Sequence, residues 1–151
     1  MAGSSLVVSG ERLIGAPADT IFDVLADPRQ HSRFDGSGTV QGASPKGPAR
    51  LSPGARFGMS MRLGVPYRMT NTVVEFEEGR RIGWRHFGGW VWRYELEPRG
   101  ASTLVRETAD YSTSRIPFYV RFTGWVPRAK RYIDATLERL DAYVTNLPTK
   151  R

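Results

Sequence analysis

Residues 84–111 read WRHFGGWVWRYELEPRGASTLVRETADY, and this run decides the fold. Alternating residues broken by glycine-containing turns are the pattern of three consecutive antiparallel strands. The period of two puts Ile82, Trp84 and His86 on one face of the first strand, and Trp92, Tyr94 and Leu96 on one face of the second. A sheet that turns so much aromatic surface to one side has to cover it, either with a packed helix or with a ligand.

Upstream, Phe57, Met59, Met61 and Leu63 alternate with Arg56, Gly58, Ser60 and Arg62, as in a half-buried strand. A Gly64-Val65-Pro66 turn that pairs Leu63 with Tyr67 sets Met61 opposite Met69, Met59 opposite Asn71 and Phe57 opposite Val73. The Glu78-Gly79 turn, pairing Glu77 with Arg80, then sets Val73 opposite Trp84 and Asn71 opposite His86. A Gly88-Gly89-Trp90 loop, with glycine taking positive φ, pairs His86 with Trp92 and Trp84 with Tyr94. All three turns put the apolar sets on one common face, and this agreement supports the strand assignment.

Two registers are open for the last hairpin. One sets Arg93 opposite Glu107 on the outside and Tyr94 beside Arg106 on the inside; the other sets Arg93 opposite Arg106 and turns Val105 inward. Attraction between opposite charges across strands favours the first.

Helices are expected at both ends. Leu6 to Ile14 reads as a first strand, after which Pro17 suits a first helical turn and Asp19 lies near its positive end. Ile21, Val24 and Leu25 form an apolar stripe that Asp27-Pro28 stops, with a short helical turn through His31 to Phe34 and a weak strand near Gly38 to Gly42 following. Ser114 is placed to cap a later helix that Gly124 to Pro127 should kink or break. Beyond it Ala129, Ile133, Leu137, Leu140 and Val144 form one long stripe, bordered by Tyr132, Thr136 and Tyr143. This amphipathic helix is the natural cover for the aromatic sheet.

Composition narrows the function. With 151 residues, 40% of them apolar, the chain is long enough for one domain with a sizeable core. The expected division is a flexible N-terminus over 1–5, one domain over 6–146 and a basic tail over 147–151. The absence of cysteine removes thiol nucleophiles and Cys metal sites, and two histidines, His31 and His86, give no basis for a metal centre. No cofactor is expected. A net charge of +7 is spread along the chain without a zinc finger, helix-turn-helix or aromatic RNA-binding run, so nucleic acid is not the expected partner. No basic-then-apolar leader precedes the first strand and no apolar run approaches ~18 residues, the pattern of a cytoplasmic protein.

The order of strand, short helices, antiparallel strands and long C-terminal helix, together with RLIGAPADTIFDVLADP (residues 12–28) and WRYELEPRGASTLVRETADYS (residues 92–112), resembles the START-like superfamily. Within it the chain is most similar to bacterial polyketide cyclase/dehydrase and lipid-transport proteins, over residues 6 to 146. The resemblance implies an α+β helix-grip fold, a curved antiparallel sheet wrapped around the C-terminal helix with a cavity between them. It also implies a hydrophobic or amphipathic small-molecule ligand and, in some members, cyclisation or dehydration. Fold alone does not choose between pocket and enzyme.

The inner face carries the candidate site residues. Met59, Met61, Met69, Asn71, Trp84, His86, Trp92, Tyr94 and Arg106 make a mostly apolar lining with sparse polar groups, as a ligand pocket requires. If the chain is an enzyme, His86 is the acid/base with Asn71 fixing its tautomer, Tyr94 donates to an enolate, and Arg106 polarises a ketone or holds a carboxylate. The carboxylates Glu75, Glu107 and Asp110 show no catalytic spacing and are read as ion-pair partners. Residues 115–131 interleave basic and aromatic side chains, among them Arg115, Phe118, Arg121, Phe122, Trp125 and Arg128. Such a segment suits an anionic membrane surface or an acidic carrier protein. The leading expectation is a binding or transport module for a hydrophobic molecule. A cyclase/dehydratase, and a regulatory protein acting through its basic surface, are the alternatives.

Overall fold

A computed structural model of the chain describes residues 6–44, 47–86, 88–116 and 124–147. In chain order the elements are β1 (Val7–Ile14), α1 (Ala18–Leu25), α2 (His31–Phe34), β2 (Val40–Ala43), β3 (Arg56–Leu63), β4 (Val65–Glu77), β5 (Arg81–Arg85), β6 (Val91–Arg99), β7 (Ser102–Asp110) and α3 (Trp125–Thr145). The strands form one antiparallel sheet in the order β1-β7-β6-β5-β4-β3-β2. It curls into a half-barrel around α3, which gives the α+β helix-grip architecture.

The covering helix forms as its stripe requires. Ala129, Ile133, Thr136, Leu137, Leu140 and Val144 are buried against the sheet. Each fully buried Ile, Leu or Val side chain contributes about 1.5–3 kcal/mol relative to exposure. Gly124 to Pro127 stands at the start of this helix. Gly124, at φ 70°, is the N-cap, and Pro127 falls in the first turn, where its missing N–H leaves no bond unmade. The Ser114 hydroxyl accepts from the Ile116 N–H at 3.2 Å. Residues 117–123, on which the expected helix and the positions of Phe118, Arg121 and Phe122 fall, lie outside the described residues, as do 1–5 and 148–151.

At the other end, α1 starts after Pro17, has Asp19 in its first turn and buries Ile21, Phe22, Val24 and Leu25. Asp27 then accepts from the Arg29 N–H at 3.0 Å and starts the 3₁₀ turn Pro28–Gln30 that leads into α2. The loop after α2 lies directly on α3. The Gly36 N–H donates to Thr136 Oγ1 at 2.9 Å, and a Cβ on Gly36 would stand 2.5 Å from the Thr136 backbone nitrogen. Only glycine permits that approach.

All four hairpins from β3 to β7 differ from expectation in register, β4–β5 only next to its turn. In β3–β4, Leu63 pairs with Val65, Met61 with Tyr67, Met59 with Met69 and Phe57 with Asn71, two residues from the expected alignment. In β5–β6, Trp84 pairs with Trp92 and Ile82 with Tyr94, again a slip of two, and the turn is closed by the His86 N–H donating to the Trp90 carbonyl at 2.8 Å. Slips of two conserve the face, so the aromatic and methionine side chains still point inward. In β4–β5, Glu77 pairs with Arg81, and a bulge between Val73 and Glu75 restores the expected Val73–Trp84 pair.

The β6–β7 hairpin follows neither expected register. Tyr94 pairs with Glu107, Glu95 with Arg106 and Leu96 with Val105. The turn is the two-residue Gly100-Ala101, with φ 64° at Gly100, where a tight hairpin needs glycine. This alignment differs from the expected one by a single residue, so it exchanges the faces. Glu107 goes in and Arg106 goes out.

Candidate functional site

Between the concave face of the sheet, α2 and α3 lies a cavity of about 400 Å³. That volume is in the range of small-molecule sites. Its walls are the inward-facing side chains of β3 to β7, closed on one side by His31 and Phe34 of α2 and on another by Tyr132 and Thr136 of α3. Eight of the nine expected lining residues are there: Met59, Met61, Met69, Asn71, Trp84, His86, Trp92 and Tyr94. Arg106 is not. Its guanidinium is 52% exposed on the outer face and pairs with Glu11 at 3.1 Å.

The aromatic lining is internally organised. Trp84 stacks on His31 at 5.0 Å between centroids and meets Phe57 edge-on at 5.5 Å. Trp90 stacks on His86 at 4.3 Å, and both Tyr111 and Trp125 approach Trp90. The Trp125 indole N–H donates to the Tyr111 hydroxyl at 2.8 Å, tying the first turn of α3 to the end of the sheet. Arg128 lies over the Trp125 ring at 5.8 Å and, with the exposed Leu63, marks where the cavity meets the surface.

The polar groups divide into satisfied and unsatisfied. His31 donates from Nε2 to the Leu25 carbonyl at 2.8 Å, and burial holds its pKa below the usual histidine value. His86 accepts at Nδ1 from the Gly88 N–H at 3.3 Å, which leaves the ring proton of the neutral form on Nε2. Desolvation lowers its pKa to about 4, so it is neutral at pH 7. No hydrogen bond joins His86 to Asn71 among the described residues. The Gly88 N–H of the turn, not Asn71, meets Nδ1.

Glu107 is the group that sequence reasoning misplaced. It is buried and lines the cavity, and its Oε1 has no hydrogen-bond partner among the described residues. The Tyr94 hydroxyl is its neighbour. Desolvation pushes the Glu107 carboxyl well above the ordinary carboxylate range, against the favourable bond from Tyr94, with Asp35 and Asp134 adding like-charge repulsion. Burial and Glu107 likewise raise Tyr94 well above the usual tyrosine value. The other two carboxylates behave as expected: Arg93 pairs with Glu75 at 2.7 Å and with Asp110 at 3.7 Å on the outer face. The Gly100-Ala101 turn was the signal that places Glu107, because a two-residue hairpin there pairs Arg99 with Ser102 and hence Tyr94 with Glu107. His31 had no comparable signal, since a four-residue helix carries too little periodicity to assign a face.

Among the described residues, no group of three or more His, Cys, Asp or Glu side chains is arranged to hold a metal ion. No helix among them is long and apolar enough to cross a membrane.

Comparison with known proteins agrees with this architecture. An uncharacterized protein of Mycobacterium tuberculosis H37Rv is 39% identical over 134 residues, which cover 84% of this chain and 59% of that protein. The chain thus spans 59% of the length of the curated relatives it matches. A solved protein from Nitrosomonas europaea superposes with a TM-score of 0.73 at 14% identity, covering 94% of this chain and 96% of that one. The AHSA1-like protein from Aeromonas hydrophila gives a TM-score of 0.66 at 19% identity, with 96% and 99% covered. At those identities the likeness concerns the fold. Residues 5–145 match the family model described as polyketide cyclase / dehydrase and lipid transport. With its curled sheet closed on α3, the chain belongs to the polyketide cyclase/dehydrase and lipid transport family, within the START-like helix-grip superfamily.

Proposed function

We propose that this chain is a binding or carrier module that holds one hydrophobic molecule, aromatic or lipid-like, between its sheet and α3. The observation that carries the reading is the cavity of about 400 Å³, lined by three methionines and a ring of aromatic side chains with few polar groups. Methionine adapts to varied apolar shapes, and sparse polar groups orient a ligand without demanding a charged one. Cyclisation through His86, Tyr94 and Arg106 is the weaker reading. Arg106 stands outside the cavity, and a histidine titrating near 4 is a poor base at neutral pH.

A surface partner is part of the proposal. Leu63 and Val65, 62% and 67% exposed, cap the β3–β4 hairpin beside Arg62 and Arg68, and Leu63 and Arg128 border the cavity. An apolar tip ringed by arginine suits an anionic bilayer from which ligand is taken or to which it is delivered.

Native mass spectrometry of protein purified without detergent is expected to show an adduct of a few hundred daltons that organic extraction removes. Protein that carries no adduct as purified, and gains none on incubation with N-phenyl-1-naphthylamine, would overturn the reading.

A further inference from the structure

Glu107 is an unusual group to find in an apolar chamber. It is 3% exposed, it faces the cavity, and one carboxyl oxygen has no hydrogen-bond partner among the described residues. No Lys or Arg among them forms an ion pair with it, and the charged groups that act on it, Asp35 and Asp134, are acidic, Asp134 being paired with Lys130 at 2.9 Å. Its neighbour on the paired strand is Tyr94, itself buried and lining the same cavity. A carboxyl group so placed holds its proton more tightly than an exposed one, and the protonated form is a donor as well as an acceptor.

We propose that Glu107, with Tyr94 beside it, is the anchor for a carbonyl or hydroxyl oxygen on the buried end of a neutral apolar ligand. The inference rests on the ligand-binding reading above and adds the ligand's chemical class and orientation. The oxygen would complete the hydrogen bonding of the carboxyl group, while hydrocarbon or aromatic carbon fills the space among Met59, Met61, Met69 and Trp84. A ligand carboxylate at this end would sit unpaired beside Glu107 and Asp35, which both line the cavity, a costly arrangement in a low-dielectric site. Among the described residues the exposed cation bordering the cavity is Arg128, with the first turn of α3, so an anionic head group belongs at that end. The cavity is therefore polarised, with a neutral oxygen inward and charge, if the ligand has any, outward.

The test uses two neutral probes of nearly equal shape, 2-acetylnaphthalene, which carries a ketone, and 2-ethylnaphthalene, which does not. Their affinities are measured on the wild-type chain, Glu107→Met and Glu107→Gln. Glu107→Met is expected to weaken the ketone by about three- to tenfold, the usual worth of one neutral hydrogen bond, while leaving the hydrocarbon bound as before or tighter. Glu107→Gln keeps an N–H donor and is expected to hold the ketone within about twofold of wild type. An unchanged ratio of ketone to hydrocarbon affinity in Glu107→Met would overturn the anchor while leaving ligand binding standing. Failure of both probes to bind the wild-type chain would overturn both.

Discussion

At the residue scale, Glu107 and His86 make opposite predictions for stability against pH. The Glu107 carboxyl is held well above its ordinary value of 4.5, so the folded chain keeps a proton that the unfolded chain releases as pH rises past that value. Stability due to this group is therefore complete below pH 4.5 and declines as pH rises toward the folded pKa. For His86 the folded value of about 4 lies below the ordinary 6.5, so its contribution is complete above pH 6.5 and is lost as pH falls toward 4. Glu107→Gln removes the first dependence alone. Its effect on Tm is expected to be more favourable at pH 7.5 than at pH 4, where the carboxyl is mostly neutral in both states. A more damaging effect at pH 7.5 than at pH 4 would mean that the group is ionised and paired in the folded protein. The pair Arg106 and Glu107 also shows where residue-level reading stopped. Charge complementarity placed Arg93 against Glu107, but the charge on Arg93 is met from the other side by Glu75 on β4, a partner the hairpin alone could not reveal.

Elements were more legible than their registers. Alternation marked β3 to β7, the stripe marked α3, and Pro17 and Asp27-Pro28 bounded the first helix, because each depends on residues close in sequence. Registers depend on turn geometry, where misreadings of two residues were harmless and one of a single residue was not. The Val73–Trp84 pair survived only because a bulge offset the longer turn, a feature without a sequence signature here. The β3–β4 hairpin carries its own prediction. Flotation with phosphatidylglycerol vesicles is expected to lift the wild-type chain, with phosphatidylcholine vesicles lifting it less. The double variant Leu63→Ser, Val65→Ser should lose at least half of that binding with its fold intact, since both side chains are exposed. Equal failure of the wild-type chain on both vesicles would sink the membrane contact.

For the whole molecule, the helix-grip arrangement explains why an aromatic sheet face is both core and pocket. α3 fills the grip along Ile133, Leu137 and Leu140, which are buried, and the chamber among β3 to β7, α2 and the first turns of α3 is left open. The division between the two was only partly readable. The inward face of each strand follows from period two, but His31 and Phe34 reach the chamber from a short helix placed by long-range packing. The sequence offers a direct probe of the central claim, that this chamber binds an apolar molecule. Of its four methionines, Met59, Met61 and Met69 line the cavity. Methyl spectra of methionine-labelled protein, titrated with N-phenyl-1-naphthylamine, should show the Met59, Met61 and Met69 signals shifting together and saturating at one ligand per chain. Saturable binding that leaves those three signals unmoved would contradict the account.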